Sequence, residues 1–592
     1  MISLAKYLKP YTASIVALVV FVYGQVLADL ELPAYMADIV NRGVVAGDTN
    51  EIWSAGLKML AISLLGAASS VVVGYLGARI ATGFSTDIRD KLFTTVESFS
   101  LGEFDKFSTA SLITRSTGDI QQMQMVLVIL FRMVLYAPIL GVGAVIKAYG
   151  MAPSMSWIIS LAVAVMTSLM IVLFAIAIPR FKLLQRLMDK LALVARENLT
   201  GLRVIRAFNA ESYEEKKFDA VNADLTRINL TVNRLLVVMQ PMMMLTFNIT
   251  AIAVVWVGSH LIDSGSLMVG DMVAFMQYAM QVIMAFLMIS IIFIMVPRAS
   301  VSAQRVAEVI GTKPAIKDPK DPISFPANIH GLVDFEDVTF SYPGADTPVL
   351  QNISFTARPG ETTAFIGSTG SGKSTLINLI PRFYEVTSGR VLVNGVDVRQ
   401  VRLADLWSKL GYIPQKATLF SGTVAGNIRY GAPEASDECM RQAAVTAQAY
   451  DFIDQLDGRF EAPISQGGAN ISGGQKQRLS IARALAKEPE IYIFDDSFSA
   501  LDFKTDAALR QALASEMKDA TVLIVAQRIS TIINADKIIV LDEGSIVGMG
   551  THDKLMRDCA VYSEIALSQL SESELADSLV VSGSRFVETE SV

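Results

Sequence analysis

Long apolar segments alternate with polar ones through the first half of the chain. The apolar runs lie at about residues 14–36, 56–78, 126–149, 155–178, 240–262 and 272–296. Because about 20 consecutive apolar residues cross a bilayer as a helix, the pattern predicts six transmembrane helices. The first run follows Lys6 and Lys9 and resembles a cleavable signal, but it continues apolar through Leu32 and Tyr35. We therefore predict that it is retained as a spanning helix.

The polar segments between these runs differ in charge. Those between the second and third runs and between the fourth and fifth runs are rich in Lys and Arg, whereas the other turns hold almost none. Both rich segments keep helical periodicity, as in LLQRLMDKLALVARENLTGLRVIRAF. Since positive residues favour the cytoplasmic side, we predict cytoplasmic termini and helices that extend from the membrane to a second domain.

The pattern changes near residue 311. Residues 311–331, GTKPAIKDPKDPISFPANIHG, break the helical periodicity and are predicted to be a linker after a membrane domain over residues 1–310. β-Branched runs then alternate with helix-like segments, which predicts an α/β domain with a largely parallel sheet over residues 332–567. The acidic, Ser-rich residues 568–592 are predicted to be a disordered tail.

Composition excludes several other classes of protein. The 592 residues are 52% hydrophobic and 18% charged, which fits a chain divided between membrane and solvent. A net charge of -7 gives no reason to expect a nucleic-acid partner. Cys439 and Cys559 lie far apart and form neither a disulfide scaffold nor a CxxC metal site.

One motif in the second half predicts a nucleotide site. FIGSTGSGKSTL matches GxxxxGK[ST] after a strand-like TTAFI and before a helix-like TLINLI. Its glycines let backbone N–H groups surround phosphates, Lys373 supplies a positive charge, and Ser374 offers a hydroxyl to Mg²⁺. The predicted nucleotide-binding residues of this loop are Gly367, Ser368, Thr369, Gly370, Ser371, Gly372, Lys373, Ser374 and Thr375.

Two further segments extend this prediction. The apolar run IYIFD ends in Asp495, which we expect to hold the water shell of Mg²⁺. ISGGQKQRLSIARALA places Ser472, Gly473 and Gly474 at a helix N-terminus, a second arrangement suited to phosphate. One nucleotide does not need both arrangements, so the second is predicted to serve a nucleotide held by another subunit.

Together these motifs resemble the ATP-binding-cassette (ABC) transporter family over nearly the entire chain. Tyr342 in FSYPG stands where the family stacks adenine, Gln415 in YIPQKATLF stands in its Q-loop, and SALD resembles its D-loop. FDKFSTASLITRSTGDI resembles the first cytoplasmic coupling region, with Ala110 or Ser111 where glycine is usual. Six helices followed by one cassette resemble a type I ABC exporter half-transporter.

The resemblance implies an ATPase coupled to transport, working as a pair of chains with ATP and Mg²⁺ between the cassettes. Mg²⁺ would be held by Ser374, Gln415 and, through water, Asp495, and Gln415 would also be a catalytic residue. The residues implied to contact the partner chain's ATP are Ser472, Gly473, Gly474 and Gln475.

Two catalytic positions depart from the family pattern. The family's base is usually glutamate, where this chain has Asp496, and its switch histidine is replaced by Gln527. One methylene fewer withdraws the carboxylate by about 1 Å, which can cost about a hundredfold in rate. ISGGQ is otherwise intact except for Ile471, and Gln466 stands where exporters often carry glutamate. This asymmetry resembles the degenerate-site half of a heterodimeric multidrug exporter, which implies transport of lipophilic or amphipathic molecules across the cell membrane.

Other interpretations stay open. The two changes could be tolerated in a homodimeric lipid or peptide exporter, introduced to trap ATP, or used by an ATP-gated channel or sensor. The polar residues Asp29, Glu31, Gln277 and Gln281 either contact substrate or only join helices and the membrane interface. The same choice between substrate contact and helix packing applies to the regularly spaced Met272, Met276, Met280, Met284 and Met288.

Overall fold

The computed structural model describes residues 2–569, which form two compact units. The first unit contains the chain up to Glu97 and Thr109–Thr312, and the second contains Ser98–Ser108 and the chain from Lys313 onward. The predicted disordered tail begins at Ser568, within the last described helix, and its residues beyond 569 lie outside the described part of the chain.

The first unit is helical. Its helices, together with the short α3 of the second unit, are α1 (Thr12–Asp38), α2 (Thr49–Glu97), α3 (Leu101–Lys106), α4 (Thr109–Thr114), α5 (Ile120–Met133), α6 (Tyr136–Met151), α7 (Ser156–Thr200), α8 (Leu202–Ala207), α9 (Glu211–Asp263) and α10 (Val269–Gly311). One π-helical segment, Ile39–Val45, follows α1 and leads to the loop before α2. A second, Arg115–Asp119, joins α4 to α5.

Six helical segments of the described chain are long and apolar enough to cross a membrane. They are Leu4–Val45, Thr49–Glu97, Thr109–Met151, Pro153–Thr200, Glu211–Asp263 and Val269–Ile292. Small residues allow neighbouring helices to approach closely, because a Cβ added at Gly66 of α2 would lie 3.2 Å from the Cβ of Ala28 in α1. The predicted bundle of six membrane helices is confirmed.

The second unit contains both strands and helices. Its strands are β1 (Val333–Phe340), β2 (Leu350–Ala357), β3 (Thr362–Gly367), β4 (Ser388–Val393), β5 (Val396–Asp397), β6 (Leu410–Ile413), β7 (Gly422–Thr423), β8 (Pro463–Ile464), β9 (Ile491–Asp495), β10 (Thr521–Val525), β11 (Lys537–Asp542) and β12 (Ser545–Gly550). Its further helices are α11 (Lys373–Leu379), α12 (Leu403–Ser408), α13 (Val424–Ile428), α14 (Asp437–Thr446), α15 (Tyr450–Asp454), α16 (Gly473–Leu485), α17 (Phe503–Glu516), α18 (Ile529–Ile532), α19 (His552–Asp558) and α20 (Ala560–Gln569).

The strands form one large and two smaller sheets. The large sheet has the order β12-β11-β3-β10-β9-β6, parallel except for β12. Apolar side chains pack on both of its faces, so β9 and β10 are buried along their whole length. The predicted α/β domain is confirmed. An antiparallel sheet of order β2-β1-β4-β5 lies beside it in the same unit, which the alternation of strands and helices did not indicate.

The last helices of the second unit are held by a buried histidine. Nδ1 of His552 lies 2.7 Å from the hydroxyl of Tyr562, and the two residues are 6% and 0% exposed. Burial lowers the pKa of His552. The unfolded chain therefore binds more protons than the folded chain just below the ordinary histidine pKa, so acid destabilises the folded state there.

We expect the thermal unfolding midpoint of the purified chain to fall as the pH decreases below about 6.5. His552→Gln, which retains hydrogen-bonding capacity towards Tyr562 without titrating, should reduce this fall. The measurement is a series of melting curves between neutral and mildly acidic pH, and an unchanged pH profile in the variant would contradict the assignment.

Candidate functional site

The residues predicted to bind nucleotide lie at one edge of the large sheet. The parallel strands β3, β9, β10 and β6 end at this edge. Gly367 ends β3, Asp495 ends β9, and Gln527 and Gln415 follow β10 and β6 by two residues. Loops at the carboxyl ends of parallel strands form the crevice in which such sheets bind ligands.

The loop between β3 and α11 is shaped by glycine. A Cβ added at Gly367 would lie 2.0 Å from the carbonyl oxygen of Leu541, so no larger residue fits there. Gly372 has a φ of +94°, a left-handed conformation that glycine adopts at low cost. The loop can therefore turn tightly and present its backbone N–H groups to a phosphate.

Lys373 folds back onto this loop. Its Nζ donates hydrogen bonds to the carbonyl oxygens of Gly367 at 2.9 Å and Ser368 at 2.7 Å. Burial lowers the pKa of Lys373, and the neighbouring carboxylates of Asp496 and Asp495 offset part of this effect. The ammonium group thus lies among the loop carbonyls, where a phosphate would meet a positive charge.

Ser374 and Asp495 lie together beside the loop. The Ser374 hydroxyl donates to Oδ1 of Asp495 at 2.8 Å, and Asp495 is only 6% exposed. Burial raises the pKa of Asp495, and the hydrogen bond from Ser374 opposes the rise. A hydroxyl and a carboxylate are hard oxygen donors of the kind that Mg²⁺ selects, so these two residues fit a magnesium ion.

Asp496 brings the three predicted catalytic residues together. Its Oδ2 accepts hydrogen bonds from Nε2 of Gln527 at 2.8 Å and from Nε2 of Gln415 at 3.1 Å. Burial raises the pKa of Asp496, and the Gln415 hydrogen bond opposes the rise. In the described chain Gln415 makes no hydrogen bond with Ser374 or Asp495, so it contacts the acid after the strand rather than the predicted metal pair.

Tyr342 lies near the start of α11. Its hydroxyl is 2.9 Å from Oγ1 of Thr375, and its ring meets those of Phe340 and Tyr384 edge-on. Thr375 is itself buried. The predicted adenine-stacking residue and the phosphate loop are therefore joined by a direct contact.

The ISGGQ residues 471–475, called the signature segment below, form a separate group at the start of α16. The Ser472 hydroxyl accepts from the Gln475 N–H at 3.3 Å, and the Gln475 side chain accepts from the Ser472 N–H at 2.8 Å. Ser472 and Gly473 are exposed, and Gly474 lies against the backbone of Ala500. Across the described residues, no hydrogen bond joins this segment to the phosphate loop.

Several supporting contacts were not predicted from the sequence. Ser497 donates to the carbonyl of Ile413 at 2.9 Å, and the Gln477 side chain donates to the carbonyl of Pro414 at 3.2 Å. Ser497 directly follows Asp496, and Gln477 lies in ISGGQKQRLSIARALA, so both belong to segments that the sequence already identifies. Gln569 has no such signal, yet its side chain bonds the backbone of Gln527 and Ile529, each at 2.9 Å.

None of the three histidines takes the place of Gln527. His552 bonds Tyr562, and His330 lies 3.3 Å from Glu490, at the other end of β9 from Asp495. His260 bonds the Trp256 carbonyl within α9 of the first unit.

Comparisons with known proteins agree over nearly all of the chain. Residues 15–286 match the family described as ABC transporter transmembrane region, and residues 350–499 match the family described as ABC transporter. An uncharacterised ABC transporter ATP-binding protein of Mycobacterium tuberculosis is 42% identical over 570 residues, covering 96% of this chain and 97% of the relative. An ATP-dependent lipid A-core flippase of Pseudomonas fluorescens is 31% identical over 581 residues, covering 95% of each chain.

A solved structure shows the same fold. A bacterial Atm1-family ABC exporter with ATP bound has a TM-score of 0.78 at 24% identity, and the match covers 96% of this chain and 99% of that one. The membrane helices and the nucleotide-binding domain thus occur here in the same order as in that exporter. The chain belongs to the ABC transporter family, as a multi-pass exporter half-transporter whose ATP-binding cassette couples ATP hydrolysis to transport.

Proposed function

We propose that this chain is the degenerate-site half of a heterodimeric exporter. ABC exporters function as dimers, and in this dimer the chain's own site holds ATP and Mg²⁺ but turns ATP over slowly. Its signature segment completes the competent site of its partner. The observation that carries the proposal is the contact of Asp496 with two glutamine amides at the place where hydrolysis needs a base.

Hydrolysis at this site is limited by how far the Asp496 carboxylate extends, not by how readily it accepts a proton. Burial raises its pKa, which favours its acting as a base. Its carboxylate is one methylene shorter than glutamate, however, and its Oδ2 is engaged by the amides of Gln415 and Gln527. An amide donates a hydrogen bond but cannot take up a proton as an imidazole can. Neither glutamine supplies the function that a histidine would.

Binding of ATP and Mg²⁺ requires only the parts of the site that follow the family pattern. Lys373 supplies charge to the phosphates, and the hydroxyl of Ser374 and the carboxylate of Asp495 fit the metal. Bound Mg²⁺ would neutralise phosphate charge there. The chain therefore keeps what nucleotide binding needs while lacking two groups that turnover uses.

The exposed signature segment supports a role in a second chain's site. The reciprocal hydrogen bonds of Ser472 and Gln475 fix the first turn of α16. The exposed N-terminus of this helix offers N–H groups and a favourable dipole to an anion. We assign Ser472, Gly473, Gly474 and Gln475 to the partner chain's ATP.

The segment Ser98–Ser108 supports the coupling of nucleotide to transport. It lies in sequence between the membrane helices α2 and α4, yet it packs within the second unit. Tyr384 donates to Asp105 at 2.8 Å, and the N–H of Ala315 donates to Glu103 at 3.1 Å. Closure of the cassettes around ATP would move this segment and exchange an inward-facing for an outward-facing cavity. In this proposal the chain spans the cell membrane and both of its termini lie on the cytoplasmic side.

Polar residues in the membrane bundle favour a lipophilic cation as substrate. Lys147 pairs with Glu31 at 2.5 Å, so these two charges cancel. Asp29 accepts from the Tyr136 hydroxyl at 2.6 Å, and within the described residues it has no ion-pair partner. A carboxylate with only a neutral donor is costly inside a membrane unless a cation compensates it. Anionic lipid would be repelled from the same place.

Restoring the two altered side chains should raise turnover. We expect Asp496→Glu combined with Gln527→His to increase the ATPase rate of the chain purified alone by about tenfold to a hundredfold. Adding Lys373→Ala should abolish the gain, because the gain arises at the chain's own site. Steady-state phosphate release measures the rate, and brisk hydrolysis by the unaltered chain would contradict the proposal.

The signature segment and the phosphate loop of this chain should contribute unequally to ATP turnover by the complex that is co-purified from native membranes. Ser472→Ala should lower ATP turnover by about tenfold or more, because it damages the competent site. Lys373→Ala should leave most of the turnover, although nucleotide binding at this chain's site is lost. Equal losses, together with co-purification of identical chains only, would favour a homodimeric lipid exporter like the flippase relative.

Substitution at Asp29 tests the class of substrate. Asp29→Asn should lower the transport of tetraphenylphosphonium into inverted vesicles by about tenfold, since a desolvated charge contact is lost. Uptake of an uncharged lipophilic dye should persist. Asp263→Asn, at the exposed end of α9, removes the same charge and serves as the control. Unchanged uptake of the cation by Asp29→Asn would exclude this role.

A further inference from the structure

An acidic cavity of about 480 Å³ lies at the amino ends of β9 and β10, away from the nucleotide site. Its carboxylates come from α14, from the loop before β9, from the end of α17 and from the loop between α17 and β10. They are Glu438, Glu488, Glu490, Glu516 and Asp519. The cavity therefore gathers negative charge from segments that are far apart in sequence.

Most of this charge has no counter-charge within the protein. Glu490 accepts from Lys409 at 2.5 Å and from Asn394 at 2.8 Å. The other four carboxylates make no ion pair with any residue that the structure describes. All four are exposed, so solvent and salt screen much of their mutual repulsion, and a bound cation would relieve what remains.

A buried phenol also lines the cavity. Tyr492 of β9 is 5% exposed as a residue, and its hydroxyl, which is accessible from the cavity, makes no hydrogen bond with any residue of the described chain. Burial and the nearby charges of Glu488 and Glu516 raise the pKa of Tyr492, so the phenol stays protonated. Because the ring is buried while the hydroxyl faces the cavity without a protein partner, this hydroxyl is suited to contact a ligand there.

The distribution of these groups selects the kind of cation. No three of the acidic, histidine or cysteine residues in the described chain converge as a metal site would require. The carboxylates are instead spread around walls that include the apolar side chains of Ala443 and Leu485. Separated anionic groups with apolar surface between them match a flexible alkyl chain that carries several ammonium groups.

We propose that this cavity binds a linear aliphatic polyamine, whose ammonium groups pair with Glu488 and Glu516 and donate a hydrogen bond to Tyr492. The site is separate from the nucleotide site and does not depend on the heterodimer. Tyr492 and Asp495 lie on the same short strand, β9, so the two sites share a structural element.

The proposal is tested by calorimetric titration of spermidine into the full chain, with any co-purified partner, in lipid nanodiscs without nucleotide. The unaltered chain should bind spermidine, and Glu488→Gln with Glu516→Gln should weaken binding by about tenfold or more. Asp457→Asn with Glu461→Gln removes the same charge from exposed positions outside the cavity and should leave binding unchanged.

A second variant separates the site from general charge attraction. Tyr492→Phe removes only a hydroxyl without a protein partner, so folding should persist while spermidine binding weakens by about threefold or more. Absence of binding to the unaltered chain would overturn the proposal. So would an equal loss in the control pair, or equal affinity for spermidine, butylamine and Mg²⁺, because each outcome denies a site built for separated ammonium groups.

Discussion

The alignment of three parallel strands is the constraint on which the nucleotide site depends. Val525 at the end of β10 pairs with Asp495 of β9 on one side and with Phe365 of β3 on the other. This register brings the acid of β9 level with the loop that follows β3. A slip of one residue would turn Asp495 to the opposite face of the sheet and separate it from Ser374. The close packing of the buried side chains of β9 and β10 opposes such a slip.

The same register explains how, in the proposed function, the site would keep binding ATP while hydrolysing it slowly. Asp495 is positioned by the pairing of β9 and Ser374 by the start of α11, and neither position depends on the two altered residues. Asp496 follows the last paired residue of β9, has a φ of +45°, and is held by side chains from two other loops. The binding residues Lys373, Ser374 and Asp495 thus lie on a helix and a strand, whereas the two altered residues lie in loops. Substitutions at Asp496 and Gln527 would therefore change the hydrolytic chemistry of the site and leave the strand pairing intact.

Much of this arrangement follows from local sequence. Gly367, Lys373 and Asp495 lie in short motifs whose spacing fixes their relation to a strand or a helix, and the six apolar runs predict the membrane bundle. The antiparallel sheet of β1, β2, β4 and β5 was not predicted, because its pairing joins segments across the phosphate loop. The cavity beside Tyr492 was also missed, since α14, β9 and α17 meet only in the folded chain. The contact between Gln415 and Asp496 has the same non-local origin.

The position of α20 has a practical consequence. Its last residue, Gln569, bonds the backbone at Gln527 and Ile529, so the last described helix steadies the loop after β10. An affinity tag or fluorescent protein fused directly after Gln569 would disturb these hydrogen bonds and, through them, the loop that carries Gln527. A low ATPase rate measured on a protein tagged at this point could therefore come from the tag itself, and a preparation without the tag gives the rate of the chain.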